Sequence, residues 1–168
     1  MRVRRLTLCA VLCAVALTIF VVEAQFPVPV PVPGLKLGLS NVVTVFALAV
    51  LGWKEALAIV LVRIVLGNFA AGQASAILYA LAGGLLSFAV MALLRRALKP
   101  EQLWVCGVLG GIVHNLGQMA VALAIMRTAG LLLYLPVLLL CGTLTGALTG
   151  ICGQLLAKRL SGLIDRRP

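Results

Sequence analysis

Six apolar runs, separated by short polar or glycine-containing turns, take up most of this chain. They fall at about residues 6–22, 36–51, 55–69, 75–94, 103–126 and 131–157. A helix of roughly 20 apolar residues matches the hydrocarbon thickness of a bilayer. In lipid the backbone must satisfy its own polar groups, which a helix does. With 63% hydrophobic and 11% charged residues, a soluble fold of 168 residues has no means of burying this much apolar surface. The expectation is an all-α polytopic membrane helix bundle of about six transmembrane helices, one integral domain over residues 1–168. The run at 36–51 is short for a span, so its length leaves open whether it crosses fully or runs half-buried inside the bundle. The first run follows Arg2, Arg4 and Arg5. It reads as a signal peptide ending near Val22-Glu23-Ala24 or as an uncleaved first helix; its length and the spans that follow favour the helix.

Charge placement fixes a topology. The chain carries 14 Lys and Arg against 4 Asp and Glu, a formal net charge of +10. These charges sit at the ends of apolar runs rather than along one polar stripe, which argues against nucleic-acid binding. With six spans, one side receives Arg2, Arg4, Arg5, Lys54, Arg95, Arg96, Lys99, Lys158, Arg159, Arg166 and Arg167. The other receives Lys36 and Arg127. The positive-inside rule therefore predicts a multi-pass protein with both termini cytoplasmic.

Most catalytic chemistries lack their residues here. The acids are Glu23, Glu55, Glu101 and Asp165, all outside the apolar runs or at their edges. No pair of carboxylates stands ready for acid–base work, and no aspartate-rich motif is present to hold magnesium against a diphosphate. No GxxxxGK[ST] loop occurs. Cys9, Cys13, Cys106, Cys141 and Cys152 lie in apolar runs without metal-ligand spacing and read as packing residues. The chain is expected not to be an enzyme and to hold neither metal nor cofactor.

What remains is polar groups at membrane depth. Arg63 interrupts the third run. A central arginine is costly in lipid and needs a partner, a cavity or a route to the interface. The favoured reading is a cavity-facing arginine that meets an anionic ligand; snorkelling, or a pair with Glu23 or with carbonyls, is the alternative. His114, Asn115 and Gln118 form a second group, with His114 and Gln118 on one helix face. They supply either hydrogen bonds between helices or contacts to a ligand. Lys36, Asn41, Asn68 and Gln73 add polar groups toward the same side. Between Glu23 and Lys36, proline recurs at every second position from Pro27 to Pro33, which forbids helix and favours an extended form. That segment reads as a stiff linker or as a lid. Lys36, Asn41, Arg63, Asn68, His114, Asn115 and Gln118 are thus the candidate substrate-binding residues.

Three motifs carry a family resemblance. Residues 33–44, PGLKLGLSNVVT, resemble the PG-x-KLGLAN-x-VT signature of the Gx transporter family, also called heptaprenyl diphosphate synthase component I, with Ser40 in place of the commoner alanine. Residues 82–87 (AGGLLS) and 110–118 (GGIVHNLGQ) resemble its second and third motifs, and Arg63 matches a family position. The family is similar to the S components of energy-coupling factor (ECF) transporters. That resemblance implies a substrate-binding subunit in a bacterial cytoplasmic membrane, working with a transmembrane T component and ATPase subunits. Its solute would be small and anionic or vitamin-like: a flavin, a quinone or an isoprenoid precursor. It also implies that small residues on the first helix, here Ala10 and Ala14, meet the T component. The family's other name implies instead a membrane accessory subunit of polyprenyl diphosphate or quinone biosynthesis. Expected partners are a small-molecule ligand, these subunits and membrane lipid, with no nucleic acid.

Overall fold

The structure is a computed structural model that describes residues 2–26 and 36–164, with side chains described for 3–26 and 36–160. The proline-rich stretch, and with it the linker-or-lid reading, lies outside the described residues, as do Asp165, Arg166 and Arg167. Six α-helices follow one another: α1 (Arg2–Glu23), α2 (Asn41–Val50), α3 (Trp53–Ala70), α4 (Ile77–Ala97), α5 (Leu103–Met126) and α6 (Leu135–Ile164). Three short 3₁₀ turns join the later helices, and no strand occurs among the described residues. By length and composition α1, α4, α5 and α6 are each able to cross a membrane. Within its 18 residues, α3 carries Lys54, Glu55, Arg63 and Asn68.

The bundle is built with its polarity reversed. On α3 the inward face is Ala56, Ile59, Val60, Arg63, Ile64, Gly67 and Asn68, recurring at helical spacing. Its outward face is Leu61, Val62, Val65, Leu66 and Phe69, each at least 39% exposed. On α6 the exposed stripe is Leu140, Leu144, Leu148, Ile151 and Leu155. Apolar side chains outside and an arginine inside suit lipid as solvent.

Packing runs α4–α5–α6, with α2 against α6 and α1 against α3. Between α5 and α6 the backbones touch. A Cβ on Gly107 would overlap the backbone of Gly150, and one on Gly111 the Gly142 carbonyl. Glycine columns of this kind let transmembrane helices approach closely enough for dispersion contacts to hold them without a hydrophobic driving force.

The run at 36–51 becomes helix only from Asn41, and its helix has ten residues. At 1.5 Å per residue that is about 15 Å, half of a hydrocarbon core. Gly38 stops it from starting earlier, since its φ of +84° belongs to the left-handed region. Burial of Asn41, Val43, Thr44, Val45, Phe46, Ala47 and Leu48 puts α2 inside protein rather than against lipid.

Candidate functional site

Residues 36–40 are non-helical backbone inside the bundle, which survives at membrane depth only where protein satisfies its polar groups or it lines a cavity. Three helices do this, and a fourth holds a side chain of the segment. The Lys36 amide donates to Gln118 Oε1 on α5 at 3.1 Å. Thr145 Oγ1 on α6 donates to the Leu37 carbonyl at 3.2 Å. The Gly38 amide donates to Glu23 Oε1 at the end of α1. Arg63 Nη1 on α3 donates to Ser40 Oγ at 2.7 Å. A side chain at Gly38 would press on the amide of Asn41 and the ring of His114, at 3.0 and 3.2 Å. So short a segment gripped from four directions has one register.

Arg63 is buried, and its second arm donates to Asn41 Oδ1 at 3.2 Å. Asn41 in turn donates to Ser87 Oγ on α4 at 3.4 Å. Among the described residues Glu23 is not in ion-pair contact with Arg63; neutral acceptors hold the guanidinium instead. Its charge is therefore oriented but not neutralised by direct contact. Lys36 is also buried, and its Nζ lies 3.4 Å from the centroid of the Phe20 ring, a cation–π contact.

The orientation of Gln118 settles the state of His114. Because Gln118 Oε1 accepts from the Lys36 amide, its Nε2 is the atom 2.9 Å from His114 Nε2. An amide nitrogen only donates, so His114 Nε2 is an acceptor and the imidazole is the neutral Nδ1–H tautomer. The Nδ1 edge faces α4, 3.1 Å from where a Cβ on Gly83 would sit.

Phe20, Glu23, Lys36, Gly38, Ser40, Arg63, Ile64, Ala80, His114 and Gln118 enclose a cavity. Its free space is about 10 Å³, room for about one water. Glu23 Oε2, Lys36 Nζ and Arg63 Nε, all on lining residues, are buried without hydrogen-bond partners.

Of the residues singled out in the sequence, Lys36, Arg63, His114 and Gln118 meet at this cavity, and Asn41 stands behind it on Arg63. Asn68 and Asn115 do not line it. Asn68 Nδ2 donates to the Ile64 carbonyl one turn back at 2.7 Å, and Asn115 Nδ2 donates across to the Leu138 carbonyl on α6 at 2.7 Å. Gln73 is half-buried in the turn after α3 and is not a lining residue. Glu23, offered by the sequence as an acid partner for Arg63, joins the site, and so do Phe20 and Ser40, which the sequence marks only as an apolar residue and a variant motif position. The signal for Ser40 was its hydroxyl in a motif position that is commonly alanine, one residue before Asn41.

The arrangement offers two cations, one carboxylate, a neutral imidazole and an aromatic face, without a nucleophile–base pair. Among the described residues no three His, Cys, Asp or Glu side chains cluster as metal ligands. No curated protein and no solved structure matches the chain. The family model described as heptaprenyl diphosphate synthase component I matches residues 12–156, nearly the whole sequence, and the chain belongs to that family.

Proposed function

We propose that the chain is the solute-binding membrane subunit of an ECF-type importer and takes a small anionic solute at the cavity between α1, α3, α5 and residues 36–40. The observation that supports this most is the pair of buried cations, Arg63 and Lys36, each with an unpartnered nitrogen and no carboxylate in ion-pair contact. Buried charge left in this state is costly, and an anion from outside relieves it. Gln118 and His114 form part of the wall that receives the solute, with residues 36–40 held beside it by their hydrogen bonds. The chain performs no chemistry on its solute in this reading. Energy comes from partners, a T component and ATPase subunits, and Ala10 and Ala14 are exposed on α1 for such a contact. The protein sits in the bacterial cytoplasmic membrane with both termini inside, as the distribution of Lys and Arg supports.

The family's description favours a second reading, a membrane accessory subunit of polyprenyl diphosphate synthesis. A diphosphate also seeks cations. It brings more negative charge than two cations and a carboxylate balance, however, so the cavity suits a monoanion better. Affinity purification from native membranes in mild detergent separates the readings. A T component and an ATPase pair are expected to co-purify; a soluble prenyl synthase in their place would move the assignment to the second reading.

A further inference from the structure

We infer that the ligand is a monoanion that also carries an N–H or O–H donor, with Lys36 and Arg63 taking its anionic group and Glu23 accepting its donor. This deepens the binding reading above and rests on it. Glu23 is 4% exposed. One of its oxygens is used by the Gly38 amide, while Oε2 belongs to the cavity wall and has no partner. An ionised carboxylate only accepts hydrogen bonds. A ligand made of acceptors alone would leave Oε2 stranded and repelled, at the cost of a buried unpaired charge. Of the other lining side chains, Ser40 Oγ already accepts from Arg63. His114 Nε2 is occupied by Gln118, its Nδ1 edge faces α4, and Gln118 Oε1 is occupied by the Lys36 amide. Of the donor atoms on lining residues without a partner, Lys36 Nζ and Arg63 Nε are cationic and the Nδ1–H of His114 is neutral, so two cations against one ionised carboxylate leave one positive charge for the ligand to neutralise. The Phe20 ring, with Ile64 and Ala80, gives the cavity an apolar wall.

A matched pair of fragments tests this in the detergent-solubilised full chain. Pyrrole-2-carboxylate and 2-furoate are planar monoanions of similar size, and only the first has a ring N–H. Thermal midpoints are titrated with each up to about 10 mM, above the millimolar affinity that fragments of this size reach. The parent is expected to favour pyrrole-2-carboxylate by about tenfold in Kd, the worth of one well-placed hydrogen bond to a charged group. Glu23→Gln keeps a carbonyl for the Gly38 amide but presents an amide nitrogen where Oε2 stood. It should erase the preference and bind 2-furoate at least as tightly as the parent does. Equal affinities in the parent, or a preference that survives Glu23→Gln, would overturn the donor inference while leaving anion binding in place. No shift with either fragment would remove the binding reading and this inference together. Should Glu23→Gln fail to fold, the comparison within the parent alone decides.

Discussion

Gln118 ties the non-helical segment to α5, and replacing it by methionine measures that tie. The substitution keeps the length and most of the volume of the side chain, so little cavity opens. It removes the acceptor of the Lys36 amide and the donor to His114 Nε2, at 3.1 and 2.9 Å. Both groups are buried. Each buried polar group left alone costs about 1–3 kcal/mol, so the pair amounts to roughly 2–6 kcal/mol. For a chain of this length 1 kcal/mol moves the thermal midpoint by roughly 2–4 °C, so Gln118→Met should lower it by about 5 °C or more. Gln118→Glu is the control. A carboxylate still accepts from the Lys36 amide, and His114 can switch tautomer to donate to the other oxygen, so most of the loss should be recovered. The same variant places a negative charge beside the cations and should weaken anion binding while remaining folded. Midpoints of the purified proteins in one detergent give the comparison. A Gln118→Met protein as stable as the parent, or a Gln118→Glu protein no better than it, would refute this account of how residues 36–40 are held.

Ser40→Ala removes the 2.7 Å acceptor of Arg63 and should cost about 1–3 kcal/mol in chemical denaturation, with Ser40→Thr recovering part of it. Gly107→Ala places a methyl group in the Gly150 backbone and should destabilise by about 1–3 kcal/mol or prevent folding. Gly130→Ala, whose nearest neighbour is a side-chain atom at 3.8 Å, should leave the thermal midpoint within error of the parent. Lys36→Met removes one of the two buried cations at the cavity and should weaken anion binding by about tenfold or more, read as a lost ligand-induced shift of the thermal midpoint.

The helices were legible because apolar runs of span length have few alternatives, and the interior arginine was legible because lipid makes it costly. Arg63, His114 and Gln118 stood out as polar groups in apolar helices, and they do share a cavity. Asn68 and Asn115 stood out for the same reason but turn to backbone carbonyls instead. An amide in a membrane helix can be satisfied by a neighbouring carbonyl, so its presence alone does not mark a ligand site. Helix rotation decides between the two, and a single sequence with six apolar runs carries little of that information. Glu23 was legible as an acid at the end of α1, but its burial depends on Gly38 folding back over it, a contact 15 residues away. The late start of α2 depends on the positive φ of Gly38, where Leu37, Leu39 and the apolar residues after them would otherwise read as continuous.

Whether this cavity binds an anionic solute through Arg63 is tested most directly by native mass spectrometry. The protein is extracted from its own membranes, with Arg63→Ala prepared beside it. The account predicts a small anionic molecule retained by the parent and absent from Arg63→Ala. A parent that carries only lipid, or a retained molecule indifferent to the loss of Arg63, would contradict it.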